Sequence, residues 1–257
     1  MPSQSSTGTR SICFIGDSQV ASVKRALDER VTTPPPNYEI EFWAAPGAEF
    51  RQIVFEDGVI RATGPAIPHV THVNAAGRDH IAVDDFDHLV FYGGRLGVPN
   101  YFGSVLQWMS EQPRRPSRAA LERSAASFVI CTRAYRHARD MAAQGAHVTY
   151  FPAPFNTLGV RDLYRKGYFF HHFPAAENAT QADRDVIWDA LQTVADRDGI
   201  TLMRQPEETV TKGVLTKAEY MVDGAIEAED VGHKSPAFAA LWLEQYWRTL
   251  PKAVAAA

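Results

Sequence analysis

Short apolar runs of strand length alternate along this chain with stretches of helical period, and glycine or proline closes most of them. Strands that are separated by helices pair most simply through crossover connections, which give a mostly parallel sheet with helices on both faces. The expected strands cover residues 11–15, 38–43, 87–92, 148–151 and 200–203. Gly16 ends the first, Pro46-Gly47 the second and Gly93-Gly94 the third, while Pro152 and Pro154 break the fourth. Between them, Val20, Val23 and Leu27 mark a helix to about residue 30. Leu121, Ala125, Phe128, Thr132, Tyr135 and Ala142 read as one stripe on a single long helix that stops at Gly145. Val186, Ile187, Ala190, Leu191, Val194 and Ala195 mark another, ended near Gly199. Ser235 as N-cap and Pro236 in the first turn open a last helix to about Arg248. Asp57-Gly58 inside residues 53–62 predicts an inserted hairpin. The expected architecture is a three-layer α/β sandwich around a five-stranded sheet. It forms one domain over residues 1–257, with residues 1–10 and 251–257 as flexible tails.

Composition narrows the function classes. Hydrophobic residues make up 45% and charged residues 22% of the chain, enough for a substantial core. The net charge is −4 with both signs interleaved, and no lysine- or arginine-rich run favours a nucleic-acid or membrane-surface partner. The polar start and the lack of a long apolar run predict neither a signal peptide nor a membrane span. Cys13, read in a buried strand, and Cys131, read in a helix, form no disulfide framework or metal-type spacing. The expectation is a reduced, cytoplasmic protein. Oligomeric state is left open.

The chemistry concentrates where the first strand ends. Ligands of parallel α/β sheets gather at the carboxyl ends of the strands, and there Gly16-Asp17-Ser18 stands directly before a helix. Unpaired N–H groups and the positive dipole end favour negative charge at such a place, as a serine nucleophile needs for its oxyanion. Gly-Asp-Ser is also an ordinary turn tripeptide, so the position, not the tripeptide, carries the signal. Near the other end, Asp230-Val231-Gly232-His233 precedes the last helix. Within one turn, Asp230 can hold the His233 ring and leave Nε2 as a general base for Ser18. The plainer alternative makes Asp230 a turn cap and His233 a surface residue.

Together these segments resemble the SGNH (GDSL-type) hydrolase superfamily. Its first block is matched by Phe14-Ile15-Gly16-Asp17-Ser18, its second by Gly47 within Ala45-Pro46-Gly47-Ala48, and its last by Asp230 and His233. The resemblance implies a flavodoxin-like sheet, Ser18 as nucleophile, His233 as base oriented by Asp230, and the N–H groups of Ser18 and Gly47 as oxyanion donors. The third block departs from the family, with Arg95 standing where an asparagine donor is usual. Arginine is a permanent cationic donor, so Arg95 is assigned to the oxyanion hole or to a substrate carboxylate. Asp17 is assigned to substrate binding beside it, and Asn100 is a candidate substitute donor. The implied function is hydrolysis of small acyl esters, including O-acetyl groups on carbohydrates. Transfer of the acyl group to a glycan hydroxyl, and a decayed glycan- or anion-binding module, are the alternatives.

Other clusters point less far. Tyr164, Tyr168, Phe169, Phe170, His171, His172 and Phe173 read as a loop packed on the domain in preference to a flap over the site. His171-His172 and the acidic-histidine segments at residues 79–80 and 84–88 lack partners at ligand spacing, so no metal is assigned. No glycine-rich phosphate fingerprint occurs, and no cofactor is expected. Absence of Gly-x-Ser-x-Gly argues against an α/β-hydrolase elbow.

Overall fold

The structure, a computed structural model, describes residues 9–94, 98–160 and 169–251. Its centre is a five-stranded sheet formed by β1 (Arg10–Gly16), β2 (Tyr38–Ala44), β6 (His88–Gly94), β7 (Val148–Pro152) and β8 (Ile200–Leu202). The strand order is β2-β1-β6-β7-β8 and every pairing is parallel. The chain first winds outward from β1 to β2, then crosses back to β6, so the winding reverses between β1 and β6. This is the flavodoxin-like order, and its crevice lies at the carboxyl ends of those two strands.

Parallel strands covered on both faces read as continuous apolar runs, and β1 is one: Ile12, Cys13, Phe14 and Ile15 are all fully buried. Alternation then sorts them. Ile12 and Phe14 join Val90, Tyr92 and Phe151 in a core closed by α1 (Val20–Asp28) and α8 (Pro236–Thr249), through Val23, Trp242 and Tyr246. Cys13 and Ile15 face the other core, with Phe91 and Tyr150. That side is covered by α3 (Val98–Glu111), α4 (Arg118–Ile130), α5 (Arg133–Ala143) and α7 (Gln181–Arg197).

An antiparallel unit of β3 (Ile53–Glu56), β4 (Val59–Ala62) and β5 (His80–Ala82) also packs there, with Ile53, Ile60 and Ile81 buried. The hairpin expected around Asp57-Gly58 is its β3–β4 pair. A short α2 (Ala66–Val73) connects β4 to β5. α6 (Pro174–Glu177) precedes α7, and a small pair of β9 (Val210–Thr211) and β10 (Leu215–Thr216) precedes α8.

One expected element divides. The stripe from Leu121 to Ala142 lies on two helices, α4 and α5, because Thr132 is extended (φ −98°, ψ 120°). Both helices turn the same side to the core, so the period runs on through a break that no glycine or proline marks. Cys131 therefore sits exposed at the junction and not within a helix. The sequence reading also passes over α3, which places Val98, Phe102, Val105 and Leu106 in the core. No helix among the described residues is long and apolar enough to cross a membrane.

Gly16 makes the approach of β1 to β6 possible. A Cβ there would lie 2.8 Å from Val20 Cγ2 and closer still to the Tyr92 carbonyl oxygen. The second obstacle is backbone and cannot swing away. Gly16→Ala is therefore expected to cost about 1–3 kcal/mol of stability, read as a lower urea midpoint with an unchanged slope.

Candidate active site

The first candidate side chain is placed by the turn that Gly16 permits. The Asp17 carboxylate is buried, and its Oδ1 accepts the Gln19 N–H at 3.0 Å. The Asp17 carbonyl receives the Val20 N–H at 3.0 Å and so starts α1. Ser18 is thereby held half-buried at the head of the helix. Gln19 packs against Gly93 at the end of β6, where a Cβ would overlap its own Cβ. The serine turn is thus wedged into the crevice between the two central strands.

The second part comes from the other end of the chain. Asp230 opens a tight turn in which its Oδ1 accepts the N–H groups of Gly232 and His233, each at 3.0 Å. Its Oδ2 lies 2.6 Å from His233 Nδ1. His233 Nε2 then lies 2.7 Å from Ser18 Oγ, across 215 positions of sequence. A proton on Nδ1, shared with the carboxylate, leaves Nε2 to accept the serine O–H. Burial pushes the Asp230 carboxyl up, but the N–H and ring of His233, its charge and the Gly232 N–H outweigh this and hold it below its ordinary value. The turn is tied to the segment that follows β7 by Thr157, whose N–H and Oγ1 donate to the Val231 carbonyl at 3.0 and 3.3 Å.

Three concavities adjoin the pair. A cavity of about 200 Å³ lies at the carboxyl ends of β1 and β6, with Gly16, Asp17, Gly47, Phe50, Phe91 and Gly94 among its walls. The Ala45 N–H donates to the Gly16 carbonyl at 3.3 Å and so extends the β1–β2 pairing past Ala44, and Gly47 follows two residues on. A second hollow, of about 280 Å³, contains Ser18 itself with Phe42, Pro46 and His72. The third, of about 380 Å³, holds His233 and Asp230 together with Gln19, Asn100, Pro154 and Asn156.

The structure thus brings Ser18, Asp230 and His233 into one hydrogen-bonded line and sets Asp17 and Gly47 at the neighbouring cavity. Arg95 lies outside the described residues. Asn100 lines the groove beside His233 and not the cavity of Gly47. The aromatic stretch is described from Phe169 onward, Tyr164 and Tyr168 lying outside the described residues. Phe169 and Phe173 pack on Gly103 of α3, where a Cβ would come within 2.5 and 2.8 Å of them, and Phe170 is buried. His171 and His172 are exposed and meet edge to face, with ring centroids 5.6 Å apart. Among the described residues, no group of three or more histidine, cysteine or acidic side chains gathers as a metal site would.

Three residues near the site escape the sequence reading. Tyr150 is one, its buried hydroxyl pressed against Gly94; Thr157 and Lys234 are the others. None carries a sequence signal, because each is set by contacts between distant segments.

No protein-family model matches the chain, and a comparison with curated proteins gives no match. Among solved structures, the chain is similar to a lipase/acylhydrolase from Enterococcus faecalis, at 11% identity and a TM-score of 0.32, covering 95% of this chain and 98% of that one. It is similar to an extracellular lipase from Streptomyces rimosus at 13% identity and a TM-score of 0.41, covering 92% and 99%. A lipopolysaccharide acetyltransferase periplasmic domain from Salmonella Paratyphi A shows 11% identity and a TM-score of 0.39, covering 94% and 84%.

Because the folded Asp230 carboxyl is more acidic than the unfolded one, its contribution is present above the unfolded value, near pH 4, and is lost as pH falls through the folded value. Wild type is therefore expected to exceed Asp230→Asn in stability at neutral pH. The gap should close on acidification below about pH 4, measured by denaturant melts at both pH values. A constant gap would mean that the carboxylate charge does not matter to the fold.

Proposed function

We propose that this protein is a serine ester hydrolase of the SGNH type. The observation that supports it best is the unbroken line Asp230 Oδ2–His233–Ser18 Oγ, with steps of 2.6 and 2.7 Å. Ser18 Oγ attacks the ester carbonyl carbon while His233 Nε2 takes its proton, and Asp230 offsets the charge of the imidazolium. The N–H groups of Ser18 and Gly47 receive the oxyanion, with Arg95 as a further cationic donor. Collapse of the tetrahedral intermediate breaks the bond to the alcohol, which leaves with the proton from His233. Water, deprotonated by His233, then attacks the acyl-serine and releases the acid.

The walls support a small acyl group and a polar alcohol. The cavity beside Gly47 is mainly apolar and, at about 200 Å³, has room for a short acyl chain, whereas the groove at His233 is lined by Gln19, Asn100 and Asn156. An O-acetyl carbohydrate meets both conditions. The same groove would admit a glycan hydroxyl in place of water, which would make the reaction an acyl transfer. Two free cysteines, Cys13 and Cys131, favour a reducing compartment such as the cytoplasm.

Hydrolysis of p-nitrophenyl acetate and intact mass after a fluorophosphonate probe test the proposal. Ser18→Ala should abolish the adduct and lower turnover by about 10⁴-fold or more. His233→Ala should do likewise, and the double variant should be little worse, since the two act as a unit. Well-folded wild type that gives neither turnover nor adduct would sink the esterase reading. A glycan acceptor added to the assay separates transfer from hydrolysis by the product formed.

A further inference from the structure

The residue after His233 is a lysine with almost no access to solvent. Lys234 is 2% exposed, and its Nζ donates to the carbonyls of Val231 at 3.0 Å and Gly232 at 2.8 Å. Desolvation, only partly opposed by the negative charge of Asp230, pushes its pKa down to about 7. An apolar side chain would fill this space without that cost. What lysine adds is two N–H donors aimed at carbonyls that lie between Asp230 and His233. Thr157 holds the Val231 carbonyl as well, and Asp230 Oδ1 holds the N–H groups of Gly232 and His233. The backbone that spaces the carboxylate from the imidazole is therefore gripped by all three side chains.

We propose that Lys234 is a positioning residue, which fixes the 231–232 carbonyls so that His233 stays in line between Asp230 and Ser18. The proposal rests on the esterase reading of that line. A neutral amine keeps two N–H donors, so both bonds survive loss of the proton and the role does not need the charge. Misplacing the base by a fraction of an ångström would slow proton transfer while leaving the substrate grooves intact. The expected signature is a loss in kcat with little change in KM.

Lys234→Met removes both donors at similar length. Lys234→Gln keeps a carboxamide with two N–H groups and no charge. On protein shown folded by circular dichroism, Lys234→Met is expected to lose about 10- to 100-fold in kcat for p-nitrophenyl acetate, with KM within about twofold. Its low-field proton NMR resonance from His233 Nδ1–H should shift or broaden. Lys234→Gln should recover kcat to within about threefold of wild type. Wild-type kcat and an unmoved resonance in folded Lys234→Met would overturn the proposal. So would a Lys234→Gln variant as slow as Lys234→Met. Should Lys234→Met fail to fold, Lys234→Gln decides alone, near-wild-type kcat supporting the role and a loss beyond 10-fold refuting it. Inactive wild type would sink the esterase reading separately, while the resonance still reports whether Lys234 holds His233.

Discussion

The contact of β1 with β6 governs the arrangement of the rest. These strands run parallel through Gly16 and Tyr92, and they meet where the winding of the sheet reverses. Because Gly16 has no side chain, the Tyr92 carbonyl and Val20 close over it, and the chain turns sharply into α1. That turn sets Ser18 at the head of α1, beside the cavity that Gly47 and Gly94 help to line. A bulkier residue at position 16 would move the strand ends apart, and with them every group that faces the crevice.

The second constraint is the turn from Asp230 to His233. It carries no regular secondary structure, so its shape comes from hydrogen bonds by Asp230, Thr157 and Lys234 and from the start of α8, capped by Ser235. α8 packs on α1 through the core that contains Phe14, Val23 and Trp242. The helix that follows Ser18 and the helix that follows His233 are therefore neighbours on one face of the sheet. Packing energy from this apolar core, and not the short polar contacts themselves, brings the two ends of the chain together. The polar contacts then select one geometry from those that the packing allows.

Much of this was legible beforehand. The continuous apolar runs of β1, β6 and β7, each followed by glycine or proline, announced a parallel sheet with both faces covered. Asp57-Gly58 announced the hairpin, and Ser235-Pro236 the start of α8. The break at Thr132 was not legible, because the stripe of α4 and α5 keeps its period across it. Nor was α3, because Pro99 and Gly103 punctuate its first turns with residues that read as loop. The aromatic run from Phe169 to Phe173 read as a packed loop, and it packs on Gly103.

By itself, the sequence determined the layer architecture, the turn that follows β1 and the candidacy of Ser18, Asp230 and His233. These follow from local rules: the periodicity of burial, the special backbone freedom of glycine, and the reach of a carboxylate to a ring three residues on. Only the tertiary structure decided that His233 Nε2 meets Ser18 Oγ, that Gly47 lines one cavity with Gly16, and that Lys234 is buried beneath the turn. Those depend on the order of strands in the sheet and on which helices share a face. Such relations arise between segments far apart in the chain, and no local pattern of residues encodes them.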